Sequence, residues 1–395
     1  MALNRRAIPE QLHPEAIHRR FTSKLHDPRT AALLGIALGV TFTTCFVTGL
    51  MSHFLQYPPT WLSTPTRPAG LYRVTQAVHT LTGVTSIPLL LAKLWVVFPK
   101  LFEWPPVNSV ANALERLALL PLVGGSLFLL LSGTANLARW YPYSFFFTAA
   151  HYHVAWITFG AMVIHLGAKW VTVRTNVGRG RDEVGAELAL ASGSQRRTFL
   201  AGVAGTAGLV FFTTAGNTIS GLSRIAALAQ RKPGVGPQGV PVNKSAKGAG
   251  VAETALDPNY RLTLTGRKGR TLSLSLADLQ AMPQHEAELP IACVEGWSTS
   301  ARWTGVRVSD LVARLGIADF DRVRIRSIQR GGAYSKSELT ADQVADGDTL
   351  LALQLNGEPL HIDHGYPARL IAPNRPGVLQ TKWVKTLDVR GGVVR

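Results

Sequence analysis

Cysteine is scarce in this sequence, which holds Cys45 and Cys293 among 395 residues. Two thiols cannot build a disulfide framework, and the absence of a Cys-x-x-Cys-His motif excludes covalent attachment of a c-type haem. Cys45 lies in an apolar run, whereas Cys293 lies far along the chain in Ala-Cys-Val-Glu-Gly-Trp-Ser, residues 292–298. Cys293 therefore has no evident disulfide partner, and its role has to be inferred from its surroundings.

Acidic side chains are also few, with 24 Asp and Glu against 41 Lys and Arg. Residues 1–250 carry 23 basic and 8 acidic side chains, whereas residues 251–395 carry 18 and 16. A nucleic-acid-binding protein would concentrate its positive charge on a folded domain, but here the C-terminal part is nearly neutral. The distribution argues against nucleic acid as a partner and is typical of a membrane protein with basic loops.

Five long apolar runs occupy the first 220 residues. Each has about 20 residues or more, enough for a helix to cross the ~30 Å hydrocarbon core of a bilayer. Five such runs in a short stretch disfavour the alternative of buried helices in a soluble protein. The sequence predicts an all-α transmembrane helix bundle with five spans, at Ala31–Leu50, Val74–Phe98, Leu117–Leu137, Ala149–Val173 and Phe199–Ser220.

Basic residues in the loops predict the orientation of these spans, because lysine and arginine accumulate on the cytoplasmic side. One side carries Arg5, Arg6, Arg19, Arg20, Lys24, Arg29, Lys100, Arg116, Lys169, Arg174, Arg179, Arg181, Arg196 and Arg197. The other side carries Arg67, Arg73 and Arg139. We therefore predict a multi-pass protein of the cell membrane with a cytoplasmic N-terminus and an extracytoplasmic region after Ser220.

The fifth run begins after Gln195-Arg196-Arg197-Thr198, which resembles a twin-arginine export signal placed inside the chain. Export of this kind moves folded proteins, so the region that follows would acquire a cofactor before it crosses the membrane. The alternative is that the two arginines are ordinary positive charge on the cytoplasmic side.

Histidine residues lie inside these runs, where ionisable side chains are costly and usually functional. His151 and His165 lie 14 residues apart in the fourth run. At ~100° per residue they return to within ~40° of the same helix face, about 21 Å apart along the axis, which suits two stacked haems. His153 points away from that face and is the weaker candidate.

His79, in the second run, is predicted to lie at the depth of His151, so the two are candidate axial ligands of one b-type haem. His165 then serves a second haem with an unidentified ligand, or pairs with His79 through helix tilt. His53, at the end of the first run, is an alternative ligand of the outer haem. The competing interpretation is that these four histidines line helix interfaces.

Three of these stretches resemble bacterial membrane-bound b-type cytochromes of the four-helix kind: Gln76–Gly83, Ala149–Trp156 and Val163–Trp170. The resemblance covers about residues 25–175. It implies one or two haem b groups, and a haem in the membrane would exchange electrons with the quinone/quinol pool.

The C-terminal part predicts a mixed α+β domain. Residues 231–250 are rich in Gly, Pro, Lys and Ser, which is typical of a linker. Strands are predicted at 261–266, 271–276, 323–328, 350–360 and 368–373, and short helices at 276–283 and 308–316.

The whole chain is predicted to divide into five parts. They are a cytoplasmic segment (1–29), a haem-binding membrane domain (30–175), a cytoplasmic loop with the fifth span (176–222), a linker (223–254) and the α+β domain (255–395).

Two stretches of this domain, residues 289–316 and 356–389, resemble the molybdopterin-binding domain of the sulfite oxidase family. Within that family they are similar above all to the periplasmic protein-methionine-sulfoxide reductases. The resemblance implies a fold of sulfite oxidase type and a molybdenum-molybdopterin cofactor. The likeness weakens between Gln329 and Ser337, so the substrate stays open.

By position, the resemblance implies that Cys293 is the thiolate ligand of molybdenum, which agrees with the affinity of soft thiolates for such metals. The alternative for a lone cysteine is a small buried hydrophobe. Arg369 is implied as a catalytic residue that neutralises cofactor phosphate or binds an oxyanion, with Tyr334 and Trp297 on the substrate side. The further cofactor contacts implied are Asn243, Ser327, His364, Gly377, Val378, Leu379 and Lys382.

The two halves together predict a membrane-anchored molybdenum oxidoreductase that catalyses oxygen-atom transfer outside the cytoplasm. Electrons would pass between the quinone pool and molybdenum through b haem. Reduction of a sulfoxide or similar oxide, small or protein-bound, is the favoured direction. The alternatives are oxidation of sulfite in the opposite direction and a metal-free electron-transfer or redox-sensing membrane protein.

Overall fold

The computed structural model describes residues 21–59, 61–102, 107, 109–178, 186–317 and 319–391. Most of the predicted cytoplasmic segment and the basic residues Arg5, Arg6, Arg19, Arg20, Arg179 and Arg181 lie outside these ranges. The chain divides into two compact units. The helical unit comprises the described residues of 1–47 and 79–212, and the α+β unit comprises those of 48–78 and 213–395.

Five long helices account for the five apolar runs. They are α1 (Pro28–Gln56), α2 (Leu71–Val97), α3 (Val110–Leu137), α4 (Phe147–Gly178) and α5 (Ala186–Ala215). All five are long and apolar enough to cross a membrane. Large apolar side chains on them are exposed, such as Leu120 at 69% and Leu131 at 70%. Soluble proteins seldom expose contiguous apolar surface of this kind.

The fifth helix does not end where the sequence predicts. The apolar run extends to Ser220, but α5 ends at Ala215 because the chain turns back tightly at Gly216. A Cβ atom at Gly216 would lie 2.5 Å from the carbonyl oxygen of Leu222, so this close approach requires glycine. The Arg196-Arg197 pair lies within α5 rather than before it.

In the described residues of the α+β unit, ten strands form two sheets. They are β1 (Arg261–Thr265), β2 (Thr271–Ser275), β3 (His285–Ala292), β4 (Ser298–Arg307), β5 (Arg322–Ser327), β6 (Lys336–Thr340), β7 (Leu350–Leu355), β8 (Glu358–Pro359), β9 (Arg369–Ile371) and β10 (Val384–Arg390). The first sheet has the order β2-β1-β10-β5-β6, and the second has β3-β4-β7-β8 with β9 paired to β7. All pairs are antiparallel except β1 with β10.

Two short helices precede the first strand, α6 (Ala246–Ala249) and α7 (Ala252–Ala255), and three lie between strands, α8 (Leu276–Ala281), α9 (Val308–Ala313) and α10 (Ala341–Ala345). The predicted α+β alternation is thus present. The strand predicted at 350–360 is wrong as a single element, because Asn356 and Gly357 adopt φ of 51° and 86° and reverse the chain. An Asn-Gly pair with positive φ at both residues favours a hairpin turn, which separates β7 from β8.

Strand β7 is buried on both faces and separates two cores. Leu351 and Leu353 face the core that the second sheet shares with the first, whereas Leu350 and Ala352 face a second core. Alternate residues of a strand point to opposite sides, so a continuous apolar run suits this central position. The second core contains Cys293 and is the one that bears on function.

The segment predicted as a linker is built into the fold. Val240 is 1% exposed in the second core, and Ala246 and Val251 pack with Trp383. The glycines that suggested a loose chain make tight turns instead: Gly236 has φ of 114°, where side chains fit poorly. Composition therefore identified the turns but missed the core residues between them.

Replacement of Leu264 by alanine tests the shared core. Leu264 lies on β1 and is fully buried, so Leu264→Ala is expected to lower the free energy of unfolding by about 2–5 kcal/mol through lost burial and a residual cavity. Leu256→Ala is the matched control, because Leu256 is 61% exposed. Denaturation of the detergent-solubilised protein measures both, and equal losses would contradict the assignment of this core.

Candidate functional site

Cys293 lies in the short turn of a β-hairpin. Strands β3 and β4 pair up to Ala292 opposite Ser298, and the turn between them holds Cys293. The Cys293 amide donates to the Trp297 carbonyl at 2.9 Å, and the Gly296 amide donates to the Cys293 carbonyl at 3.0 Å. Gly296 has φ of 85°, which favours glycine. The two hydrogen bonds and the ladder fix the direction of the thiol.

A buried ion pair holds the rest of this turn. Arg231 Nη1 lies 2.6 Å from Glu295 Oε2, with the two side chains 15% and 9% exposed. The same carboxylate oxygen accepts from Trp297 Nε1 at 3.0 Å, and Arg231 Nε donates to the Val242 carbonyl at 3.0 Å. Removal of either partner would leave a buried charge uncompensated, so the pair keeps the turn in one conformation.

A pocket opens beside the thiol, and side chains from distant parts of the sequence line it. The space within it, including its mouth, is about 260 Å³. The lining residues are Pro241, Asn243, Ile291, Cys293, Trp297, His364, Arg369, Gly377 and Lys382. The structure thus brings six predicted cofactor contacts together, and it adds Pro241 and Ile291, which no sequence motif indicated.

Arg369 is a buried cation with unused hydrogen-bonding capacity. It begins β9 and is 3% exposed. Its Nη1 donates to the His364 carbonyl at 3.1 Å, whereas its Nε has no hydrogen-bond partner among the described residues. The guanidinium lies 5.2 Å from the centre of the Trp303 ring. Burial lowers the pKa of Arg369 to about 9, so it is still charged at neutral pH.

Lys382 adds a second positive charge to the pocket. Its Nζ donates to Asn243 Oδ1 at 3.1 Å and to the Asp363 carbonyl at 2.9 Å. Burial lowers the pKa of Lys382, and the charge of Arg369 lowers it further. Ser327 is not among the lining residues; its hydroxyl donates to the Lys382 carbonyl at 2.7 Å and so orients that loop.

Of the remaining predicted cofactor contacts, some line the pocket and others only support the residues that line it. His364 is 1% exposed, and its Nε2 lies 2.8 Å from the Pro237 carbonyl. Gly377 lies so close to the hairpin that a Cβ atom there would be 2.8 Å from the Ala292 carbonyl oxygen. Val378 and Leu379 complete the turn that Gly377 begins but do not line the pocket.

The donor set of this pocket fits a molybdopterin cofactor. A buried guanidinium with an unpaired donor is costly unless an anion compensates it, and a phosphate group does so with a matching fork of oxygens. The Cys293 thiol is 2% exposed, and burial, with the nearby charge of Glu295, raises its pKa. Such a thiol becomes a thiolate when a bound metal supplies the positive charge. The pocket thus offers one soft ligand and two cations.

Tyr334 lies in the loop between β5 and β6 rather than in the pocket lining. Its hydroxyl is 3.0 Å from Tyr57 Oη and accepts from Gln56 Nε2 at 3.0 Å. Burial, followed by the bond to Tyr57, raises the pKa of Tyr334, which also interacts electrostatically with Cys293. Its two partners precede it by more than 270 residues, and nothing in their local sequence indicates this contact.

A second candidate site lies in the helical unit, where two histidines face each other. The ring centres of His79 on α2 and His151 on α4 are 6.1 Å apart, with an interplanar angle of 81°. One iron between two imidazoles, with metal–nitrogen bonds of about 2 Å, sets the ring centres at roughly this separation. The pairing predicted from depth is the one that the structure brings together.

The outer nitrogens of both rings have partners. His79 Nδ1 lies 2.8 Å from the Cys45 carbonyl, and His151 Nδ1 lies 3.2 Å from Ser132 Oγ. Metal-bound imidazoles use one nitrogen in this way, which leaves Nε2 to the metal. The donor geometry of this pair therefore fits a bis-histidine haem.

The other histidines are placed differently. His165 Nδ1 is buried without a hydrogen-bond partner in the described residues. His53 packs on Tyr57 with ring centres 5.1 Å apart, and His153 is exposed beside Tyr152. Neither His53 nor His153 has the paired geometry of His79 and His151.

Comparison with known proteins identifies the C-terminal region. A family model described as oxidoreductase molybdopterin binding domain matches residues 249–392. Mitochondrial sulfite oxidase of Mus musculus is 34% identical over 162 residues, which cover 34% of this chain and 30% of that protein. The uncharacterized oxidoreductase YuiH of Bacillus subtilis (strain 168) is 31% identical over 130 residues, which cover 33% of this chain and 64% of that protein.

Among solved structures, the sulfane dehydrogenase SoxCD from Paracoccus pantotrophus matches with 26% identity and a TM-score of 0.31, over 35% of this chain and 39% of that chain. The chain spans about a third of the length of the mammalian sulfite oxidase that it matches. Residues 249–392 match an oxidoreductase domain that binds molybdopterin and are similar to part of the sulfite oxidases, so the chain contains an enzyme domain.

Substitution of His364 tests the electrostatics of the pocket. Burial, followed by the charge of Arg369, lowers the pKa of His364 from 6.5 to about 4. Between these values the unfolded chain takes up a proton that the folded protein does not, so the free energy of unfolding falls as the pH drops through this window. We expect the loss to be up to about 3 kcal/mol.

The His364→Asn variant keeps a polar side chain but cannot titrate. Denaturation curves at pH 7 and at pH values between about 6.5 and 4 give the comparison for the detergent-solubilised protein. The wild type is expected to lose more stability than the variant over this range. Parallel losses in the two proteins would contradict the shift in the pKa of His364.

Proposed function

We propose that this chain is a membrane-anchored molybdenum oxidoreductase that draws electrons from quinol through haem b and reduces a sulfoxide or similar oxide outside the cytoplasm. The observation that carries the proposal is the pocket in which the buried Cys293 thiol meets two cations, within a molybdopterin-binding domain. With a sulfoxide, the balanced reaction takes two electrons and two protons and yields a sulfide and water. Oxidation of one quinol to quinone supplies the two electrons and the two protons.

Molybdenum bound to molybdopterin supplies the oxygen-atom transfer. In this proposal the thiolate of Cys293 binds the metal, and Arg369 and Lys382 compensate the phosphate of the cofactor. Asn243 holds the Lys382 ammonium at 3.1 Å. Because Gly377 has no side chain, the turn that follows β9 packs directly against the carbonyl of Ala292 at the end of β3.

The helical unit supports the membrane part of the proposal. Five helices have the length and composition of membrane spans, and two of them carry the histidine pair. In the proposal, His79 and His151 bind the iron of one haem b, and the bonds from Cys45 and Ser132 orient the two rings. His165 remains a candidate for a second haem, which the described contacts leave without a partner histidine.

The covalent connection of both units in one chain supports electron transfer between the two sites. The similarity of residues 289–316 and 356–389 to sulfoxide reductases supports the reductive direction. The basic loops and the twin-arginine-like pair support a cytoplasmic N-terminus and an α+β unit that crosses in folded form.

Oxidation of sulfite is the second candidate, and the sulfite oxidase relatives favour it. In this direction water supplies the oxygen, and the two electrons pass to quinone. The same preparation separates the candidates: quinol-driven consumption of dimethyl sulfoxide is expected if the chain is a reductase, and sulfite-driven reduction of a quinone analogue if it is an oxidase.

Replacement of Cys293 by serine tests the metal site. Loss of the soft thiolate is expected to abolish turnover of dimethyl sulfoxide, because a serine hydroxyl is a poor substitute for a thiolate at this metal. Reduction of dimethyl sulfoxide driven by a quinol analogue measures the turnover, and elemental analysis measures the bound molybdenum. Cys45→Ser, which removes the other thiol, is expected to keep its molybdenum. Unchanged turnover in Cys293→Ser would show that this thiol is not the ligand.

Replacement of His151 by alanine tests the haem site. The variant is expected to lose the haem that His79 and His151 share, because one axial ligand disappears. Haem content per chain, from the pyridine haemochrome spectrum, measures the loss. The matched control is His153→Ala, two residues away on the exposed surface of α4. Equal haem in both variants would contradict the assignment.

A further inference from the structure

The segment between the first two long helices belongs to the α+β unit and is attached to it by several bonds. Arg67 pairs with Asp346 at 3.0 Å and with Asp348 at 2.6 Å. The Tyr72 amide donates to Asn374 Oδ1 at 2.8 Å. The described residues of 48–78 therefore form a fixed part of this unit rather than a free loop.

This segment contributes a group of hydrogen-bonding side chains around Tyr334. Gln56 Nε2 donates to Tyr334 Oη at 3.0 Å and to Tyr57 Oη at 3.1 Å, and the two phenol oxygens are 3.0 Å apart. The three groups fix one another's orientation. We call Gln56, Tyr57, Tyr72 and Tyr334 the tyrosine cluster.

Tyr72 is the member of this cluster with an unused donor. Its side chain is 2% exposed, and its hydroxyl is buried without a hydrogen-bond partner in the part of the chain that the structure describes. Gln76, one helical turn after Tyr72 on α2, donates to the carbonyl of Val294 at 3.3 Å, so this part of the helix lies at the turn that holds Cys293. A buried hydroxyl that lacks a partner costs about 1–3 kcal/mol, and its place near this turn indicates a ligand that satisfies it.

The chemistry of the cluster indicates which ligand it accepts. Three phenols and one amide are neutral donors, and the groups that act electrostatically on Tyr72 are Cys293, Tyr334 and Tyr57. A doubly charged oxyanion brought to this buried place requires charge compensation, which neutral donors supply only weakly. In the proposed function, Arg369 and Lys382 already compensate the phosphate of the cofactor. A neutral oxide requires a hydrogen bond to its polar oxygen and apolar surface for the rest.

We propose that the tyrosine cluster is the substrate-recognition site, in which the Tyr72 hydroxyl donates to the oxygen atom of a neutral S-oxide or N-oxide beside Cys293. Gln56 and Tyr57 are positioning residues, which act through Tyr334. This inference rests on the proposed function, since the substrate meets the molybdenum that Cys293 binds. It adds that the end of α1, the start of α2 and the chain between them complete the substrate site of the α+β unit.

The test removes one hydroxyl group from the holoenzyme. Tyr72→Phe is expected to raise the KM for dimethyl sulfoxide about tenfold, the effect of one lost hydrogen bond, with molybdenum and haem content unchanged. Because the hydroxyl has no hydrogen-bond partner among the described residues, the variant is expected to unfold at the same temperature as the wild type or higher. An effect on stability alone would overturn the proposal.

A second readout does not depend on turnover. Dimethyl sulfone, an unreactive neutral probe with the same type of oxygen, is expected to raise the unfolding temperature of the oxidised wild-type holoenzyme and to raise it less in Tyr72→Phe. Sulfate, the charged probe, is expected to have no differential effect on the two proteins. A larger differential effect with sulfate would overturn the neutral-oxide assignment.

Tyr260→Phe is the matched control. Tyr260 is also buried in the α+β unit, at 4% exposed, but its hydroxyl donates to the Val384 carbonyl at 2.6 Å. Loss of this hydroxyl is expected to lower stability and leave the KM unchanged.

If Tyr72→Phe and Tyr260→Phe both retain the wild-type KM and sulfone response, the tyrosine cluster is not the substrate site. Sulfoxide turnover by the wild type would still support the proposed function in that case. A molybdenum-loaded wild type that reduces no sulfoxide would overturn the proposed function itself.

Discussion

The constraint on which the α+β unit depends is the burial of a thiol, Cys293, and a cation, Arg369, in one pocket. The thiol is 2% exposed and Arg369 is 3% exposed, and the guanidinium has one donor without a partner in the described residues. The guanidinium gains little from burial alone, because a buried charge and an unpaired donor oppose folding. The hairpin ladder, the Arg231–Glu295 pair and the packing against Trp303 hold them in place nonetheless. A bound cofactor with a metal and a phosphate satisfies both groups together.

The helical unit also holds polar groups in an apolar setting, at the place of the proposed haem. His79 and His151 lie among apolar side chains, and each uses Nδ1 for a bond within the protein. The ring centres are 6.1 Å apart, and Nε2 of each ring is the nitrogen that a metal would use. In both units, therefore, residues that are unfavourable in an apolar interior lie where a redox group would make them favourable. That common feature is the basis for joining the units in one electron-transfer function.

Much of this arrangement follows from local sequence. Apolar runs predicted all five long helices, and alternating polar and apolar residues predicted β1, β2 and β5. Both patterns reflect which side chains lie away from water. The hairpin around Cys293 and the turn at Gly377 belong to stretches whose resemblance to known enzymes identified the pocket. The Asn356-Gly357 turn shows a local signal that the prediction of one long strand overlooked, since its two positive φ values suit the chemistry of that pair.

The remainder depends on contacts that no local pattern encodes. Composition predicted a loose linker at 231–250, yet Arg231 and Val240 hold the turn and the second core. Tyr72 appears in the sequence as an ordinary residue near a helix start, and its role emerges from a fold that brings it to Cys293, 221 residues later. Ser327 has the expected position but supports the Lys382 loop instead of lining the pocket. Tertiary placement decides such roles, so sequence alone could not assign them.

The central claim is that one chain passes electrons from haem in its helices to an oxide at Cys293. Anaerobic stopped-flow mixing of the quinol-reduced protein with dimethyl sulfoxide, followed through the haem α-band, tests it most directly. The account predicts that the haem of the wild type is reoxidised at a rate that rises with sulfoxide concentration, with two electrons consumed per sulfide formed, and that the haem of Cys293→Ser stays reduced. Haem that stays reduced in a molybdenum-loaded wild type, or is reoxidised equally fast in both proteins, would contradict it.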